Sequence, residues 1–388
     1  VFDKNIATKF GHWSVGDNNF NDKFEAAIFA SKNKQKLNFE FNNNIWDQFD
    51  LSMLGKLDLK TLYKLRAQQI RDKYDRVVLY FSGGSDSTNI LDTFIDNNIK
   101  LDCIYVRWPF EVLDTSLHQA NTRDKSAFNF NSEWDFAVKP KLDWIAKHRP
   151  DIKIELKKFS GLTDHLNFQD RGFEGINSHY SPVNIIRKTT YSEFERDSID
   201  KGFTVAQVSG IDKPMLHQDI NGNVTMRFVD DFFHTMTASP FNPYGVEFFY
   251  WTVDMPELAY EMAYRVFQYY QVNRDKRHVV PGVLYQQMSK EIKHACREIF
   301  FQDVKLICYP SWDPSTFQTE KPKHPFRIDK DFWFFKSSEF EKTKTVWDYH
   351  YASRLNEVTD SLCEFDPTGK KTGLMTTTTK SFKLGKWQ

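Results

Sequence analysis

Two short polar runs in this chain carry the residue types that handle phosphate. The first, Ser82-Gly83-Gly84-Ser85-Asp86-Ser87-Thr88, combines two glycines, four hydroxyl side chains and one carboxylate. Glycines let a backbone approach an anion closely, and the unpaired N–H groups of a helix's first turn, with small hydroxyls, then point at it. Asp86 would repel a bare phosphate, so a carboxylate at this place implies Mg2+, which keeps several waters and bridges to phosphate oxygens. The second run is Ser209-Gly210-Ile211-Asp212-Lys213-Pro214. Asp212 reads as a second metal contact, and Lys213 as the cation that neutralises charge building on a phosphoryl group during transfer. Taken alone, Gly-Gly also serves an ordinary strand-to-helix turn, and Gly-x-Asp-Lys-Pro a turn with a solvated ion pair. The chain contains no G-x-x-x-x-G-K-[ST] and no G-x-G-x-x-G, so neither a Walker loop nor a Rossmann dinucleotide site is indicated.

The elements around these runs decide between the readings. Val77–Phe81 is a continuous apolar stretch of buried-strand type, and it runs straight into the first polar run. A helical pattern follows, with Ile90, Leu91, Phe94 and Ile95 inward. Before it, Leu59, Leu62, Leu65 and Ile70 form the apolar face of a helix that carries Lys64, Arg66 and Arg71 elsewhere. Beyond it come a strand at Leu101–Val106, a helix around Trp134–Ile145, an alternating edge-type strand at Ile152–Leu156, a helix over Pro182–Ile199 and a strand at Phe203–Val208. Strands alternating with helices predict an α/β fold: an open parallel sheet of about five strands sandwiched by helices. Both polar runs then sit at carboxyl ends of strands, where such sheets bind ligands at the reversal of strand order. Asn221-Gly222 between Met215–Ile220 and Asn223–Val229 predicts a hairpin, either a wall of the site or a decoration. Asp254-Met-Pro-Glu257 predicts a helix start with Asp254 as N-cap and a stripe of Leu258, Met262, Val266 and Tyr269.

Composition bounds the rest. The 388 residues divide into an N-terminal extension (1–57), the main domain (58–270) and a mixed C-terminal region (271–388). The extension shows a helical patch at Phe24–Ala30 and a strand at Lys36–Phe41. The last stretch, Pro367–Gln388, has five lysines and no acid, and reads as a solvated tail or one that touches an anion or RNA. Lys+Arg and Asp+Glu balance at 52 each, so no global field draws nucleic acid or membrane. Cys103, Cys296, Cys308 and Cys363 are isolated, which excludes C-x-x-C metal sites and a disulfide scaffold. With no apolar run of membrane-spanning length, a soluble cytoplasmic protein is expected.

Ser82-Gly83-Gly84-Ser85-Asp86-Ser87 resembles the S-G-G-x-D-S signature of the PP-loop ATP pyrophosphatases, the adenine nucleotide alpha hydrolase-like enzymes, over roughly residues 58–270. Ser209–Lys213 falls where the asparagine synthetase branch has S-G-E-G-x-D-E, but Ile211 replaces the first acid and Lys-Pro follows Asp212. The resemblance implies ATP and Mg2+ as cofactors and cleavage of ATP between the α- and β-phosphates. Ser82–Thr88 would hold the pyrophosphate, Asp86 and Asp212 the metal, and the backbone near Tyr105-Val106 the adenine, with Gly210 completing the nucleotide site. The implied activity is that of an AMP-forming ligase: an acceptor oxygen is adenylated, then a nitrogen nucleophile displaces AMP. The acceptor would be a small molecule or tRNA. Thiolation or base amidation of tRNA, and a non-catalytic nucleotide-binding subunit, are the alternatives. No glutaminase-type N-terminal cysteine is apparent, so ammonia would arrive free or from a partner.

Overall fold

The computed structural model describes residues 2–108, 134–158, 192–210, 215–230, 245–313, 353–365, 369 and 371–388. The N-terminal segment forms β1 (His12–Val15), β2 (Asn18–Phe20) and β3 (Asn38–Glu40), an antiparallel sheet in the order β2-β1-β3, with the helix Lys23–Asn33 between β2 and β3. Asp58 caps the helix Leu59–Lys73 by accepting from the Thr61 N–H at 2.7 Å. The central layer follows as β4 (Arg76–Tyr80), β5 (Cys103–Trp108), β6 (Lys153–Lys158) and β7 (Val205–Ser209). The hairpin strands β8 (Met215–Gln218) and β9 (Asn223–Arg227) turn at Gly222, whose φ is +77°. A three-residue strand, β10 (Val246–Phe248), completes the central sheet.

That sheet is all-parallel, in the order β10-β7-β4-β5-β6. The chain builds outward from β4 through β5 to β6, then returns to the other side of β4 as β7. Strand order therefore reverses between β4 and β7, the place where open α/β sheets hold ligands. Val77, Val78 and Leu79 have no exposed surface because both sheet faces are covered. Val77 and Leu79 join the large core, while Val78, Cys103, Tyr105 and Val205 pack on the other face with Phe194 of the helix Glu193–Asp200. That helix is tied to the sheet edge through its start. Glu155 of β6 accepts from the Ser192 hydroxyl at 2.8 Å and from the Glu193 and Phe194 N–H groups at 2.6 and 3.1 Å. Residues 182–191 of the expected Pro182–Ile199 helix lie outside the described residues.

Three expectations change. On the helix Leu59–Lys73, Leu65 is exposed and Arg66 is fully buried, because Leu62, Tyr63, Arg66, Ala67 and Ile70 share the inner face at a 3.6-residue period. The Arg66 guanidinium donates to Glu247 of β10 at 2.8 Å and to the Phe248 carbonyl at 2.9 Å. The helix expected from Asp254 runs from Pro256 to Val272 with Met255 at its cap position and no side-chain cap. The lysine-rich end is not a solvated tail. After β11 (Cys363–Phe365) and β12 (Lys371–Leu374), the strand β13 (Phe382–Lys386) pairs antiparallel with β9, Phe382 opposite Met226. Phe382 and Leu384 are buried and Lys383 faces out, the alternation of a half-covered strand. Trp387 then stacks on Phe267 at 4.9 Å.

One continuous core joins these layers. Trp46 lies 4.5 Å from Phe228, which in turn contacts Phe41, Trp251 and Phe382. No helix among the described residues is long and apolar enough to cross a membrane.

Glu247 is the charged anchor of the β10 edge. Besides Arg66, it receives Lys9 at 3.1 Å, Lys73 at 3.2 Å and the Tyr74 hydroxyl at 2.6 Å. Burial alone would raise its pKa, but Arg66, Lys9, the Tyr74 hydrogen bond and Lys73 outweigh burial and lower it from 4.5 to about 2. Burial lowers the Lys9 pKa despite the same pairing, so Arg66, whose guanidinium keeps its charge, is the principal partner. A depressed carboxylate pKa stabilises the fold fully above the unfolded value of 4.5, and that stability is lost as pH falls toward about 2. Urea denaturation should therefore show wild type losing up to about 3 kcal/mol on acidification through this window, a loss that Glu247→Gln does not share. Arg66→Ala should cost about 3–5 kcal/mol at neutral pH, because it strands a buried carboxylate.

Candidate functional site

β4 hands the chain to the Ser82–Thr88 run with a last ladder bond, from the Phe81 N–H to the Tyr105 carbonyl at 2.9 Å. The run then folds on itself through its hydroxyls. Ser87 Oγ accepts from the Ser82 N–H at 3.2 Å and donates to the Gly84 carbonyl at 3.3 Å. Thr88 Oγ1 donates to the Gly83 carbonyl at 3.3 Å. Gly83 takes φ +74° beneath Val138, where an added Cβ would meet Val138 Cγ2 at 2.5 Å. The loop is thus built in advance rather than left to order around a ligand.

The helix Ser85–Asp96 starts directly from it. Its cap position is Gly84, and no side chain caps the end. Helix geometry leaves the N–H groups of Ser85 and Ser87 without an intrahelical acceptor, and a positive dipole end faces the loop. Such a helix start suits an anion, and the loop mouth is open: Ser82 is exposed, and Gly84 and Asp86 are half-buried.

The start of the second run meets the first. β7 pairs directly with β4, and Gly210 beyond its end lies against the helix start. A Cβ at 210 would come within 2.8 Å of Asp86 Cβ and 3.0 Å of the Asp86 carbonyl carbon, so a glycine is required. Asp212 and Lys213 lie outside the described residues, as do residues 109–133 and 159–191. Val106 is buried within β5, which continues two residues further to Trp108.

Asp86 is positioned by residues that the motif does not contain. Tyr309, just past the helix Lys290–Cys308, donates its hydroxyl to Asp86 Oδ1. Tyr250 donates to the Asp86 carbonyl at 2.9 Å and accepts from Asn89 Nδ2 at 3.0 Å. Tyr63 packs edge-on against Tyr250 at 5.7 Å and donates to the Cys308 carbonyl at 2.6 Å. All three phenols are held well above their ordinary pKa. For Tyr250 and Tyr309 the causes are burial first and the nearby Asp86 carboxylate second; for Tyr63 they are burial and then Cys308. They remain hydrogen-bond donors across the physiological range. The sequence carried no local signal for this cluster, because its members come from positions 63, 250 and 309 and each sits in an aromatic context that reads as core.

The donor available is a hard carboxylate oxygen. No group of three or more His, Cys, Asp or Glu capable of holding an ion occurs among the described residues. A single carboxylate at a phosphate cradle suits Mg2+, which is held by one or two carboxylates plus substrate phosphates; it does not suit an all-protein cage. The four cysteines are buried and unbridged, and burial, followed by the charge of Glu155, pushes the Cys103 thiol up to about 12. A thiol of that kind is a core residue rather than a sulfur carrier. His217 sits within β8 opposite Thr225.

No protein-family model matches this chain, and no curated protein is significantly similar to it. The functional reading therefore stands on the geometry and the motif.

The two glycines of the loop should respond differently to alanine. Gly83→Ala combines a left-handed backbone with a clash and should cost about 1–3 kcal/mol in urea denaturation. Gly84→Ala, whose Cβ would meet only Ser82 Oγ at 3.5 Å, should cost about 1 kcal/mol or less.

Proposed function

We propose that this chain is an AMP-forming ATP pyrophosphatase of the PP-loop kind, a cytoplasmic ligase that adenylates an acceptor oxygen and then forms a C–N bond. The observation that carries the reading is the placement of Ser82–Thr88 at the β4–β7 reversal, with Asp86 pressed against Gly210 of the neighbouring strand. A Walker site would present a lysine within its loop; this loop presents a carboxylate instead, which suits a magnesium-bridged pyrophosphate.

In this reading Gly83 and Gly84 admit the β- and γ-phosphates to the backbone, and the uncapped helix start stabilises their charge. Asp86 would hold Mg2+, which when bound would supply charge neutralisation to the phosphates. Tyr309 and Tyr250 fix the Asp86 carboxylate and backbone, so that the acid does not reorganise as charge develops. The acceptor oxygen attacks the α-phosphorus, the bond from the α-phosphorus to the bridging oxygen breaks, and pyrophosphate leaves. A nitrogen nucleophile, with ammonia free or delivered by a partner, then displaces AMP. Lys213 would serve the leaving group, with Asp212 as a second contact for the metal. Amidation is preferred to thiolation because the described cysteines are all buried and the Cys103 thiol is held protonated.

A panel of carboxylates, amides and tRNA, each assayed with ATP, Mg2+ and ammonia, tests the proposal. One acceptor class should give equal yields of pyrophosphate and AMP, and Asp86→Ala should lower that rate about a hundredfold or more. Release of ADP and phosphate would refute the assignment, and ATP binding with no pyrophosphate release across the panel would refute the enzyme reading.

A further inference from the structure

A cavity of about 880 Å³ lies between the N-terminal sheet and the C-terminal strands, and it shares no residue with the Ser82–Thr88 loop. Its walls come from the segment Lys34–Glu40, from Arg227 at the end of β9 and from Met375–Ser381. The last of these is the lysine- and threonine-rich stretch that the proposed ATP site does not use.

That wall is held rigidly. Lys23 and Asp230 form a fully buried ion pair at 2.8 Å, and Trp13 donates its indole N–H to Asp230 at 2.7 Å. Lys23 also donates to the Met375 carbonyl at 2.7 Å, and Asp230 accepts from the Thr377 N–H at 2.9 Å. Two residues on, the Thr379 N–H donates to the Phe228 carbonyl at 2.9 Å. Met375–Thr379 is therefore clamped in place, and the cavity is a built feature rather than a gap beside a loose end.

Its charge is unbalanced. Four cations, Lys34, Lys36, Arg227 and Lys380, face one carboxylate, Glu40. Lys380 is paired with Asp47, whereas Lys34, Lys36 and Arg227 pair with no carboxylate among the described residues. Arg227 is half-buried and donates from Nε to Ser381 Oγ at 2.7 Å. A guanidinium has five donors in a fixed fork, and a partly desolvated one with no counter-ion is costly unless an anion completes it. The fork matches phosphate geometry in two-point contact. The volume falls within the range of small-molecule sites, and Leu37 and Leu362 line it with apolar surface suited to the remainder of such a ligand.

We infer that this cavity is a binding site for a phosphorylated small molecule, with Arg227 gripping the phosphate and Lys34 and Lys36 at the rim. The inference is independent of the ATP site. Calorimetric titration of the full chain with ribose 5-phosphate, ribose and inorganic phosphate tests it. Ribose 5-phosphate should bind below about 1 mM, and ribose should give no heat. Arg227→Gln should weaken ribose 5-phosphate about tenfold or more, and Lys36→Gln, on the exposed rim where folding is not at risk, about threefold. Inorganic phosphate should bind more weakly, because it leaves the rest of the cavity unfilled; binding as tight as that of ribose 5-phosphate would reduce the cavity to a simple anion site and overturn the small-molecule reading. Equal binding by ribose and ribose 5-phosphate, binding undiminished in both variants, or no heat up to about 10 mM would overturn the inference. Displacement of ribose 5-phosphate by a short oligouridylate at far lower concentration would also overturn it, by marking the groove as a nucleic-acid surface.

Discussion

The first turn of the helix Ser85–Asp96 packs so tightly against the end of β7 that only glycine fits at position 210. Much of the candidate site depends on that contact. It joins the ends of β4 and β7 at the reversal of strand order, so the Ser82–Thr88 loop and Gly210 share one crevice. It also places Asp86 at the mouth of the loop, where Tyr250 and Tyr309 hold it and Tyr63 packs behind Tyr250. A larger residue at 210 would push the helix start away from β7 and take both the cradle and its carboxylate out of register.

The surrounding structure serves to hold that geometry still. The Arg66–Glu247 pair secures the short edge strand β10, and the residues that follow it deliver Tyr250 to Asp86. Tyr309 arrives from the C-terminal side of the helix Lys290–Cys308, so the Asp86 environment draws on residues far outside the motif. Buried phenols are suited to this task. Their pKa values are raised by burial, they donate a hydrogen bond at any physiological pH, and they add no charge that would compete with a metal ion for the carboxylate.

The sequence made the central layer legible because its signals are local. Val77–Phe81 is a buried strand by composition, and Ser82–Thr88 is a strand-to-helix loop by residue type and flanking context. Asn221-Gly222 is a hairpin by turn chemistry. What stayed hidden depends on tertiary partners. Arg66 reads as a surface residue until Glu247 is brought beside it, and β10 is too short to stand out from the aromatic run that follows it. Lys383 and its neighbours suggest a solvated tail until Phe382 and Leu384 find β9 as a partner. The tyrosines near Asp86 come from positions 63, 250 and 309, and no pattern within a window could connect them.

The central claim is that the β4–β7 crevice holds a magnesium-bridged triphosphate. A crystal structure with Mg2+ and the α,β-methylene analogue of ATP, which resists cleavage between those phosphates, tests it most directly. The account predicts the triphosphate over Gly83 and Gly84 at the start of the helix Ser85–Asp96, with the metal between Asp86 and the phosphate oxygens. A nucleotide bound elsewhere, or a triphosphate in the crevice with no metal at Asp86, would contradict it.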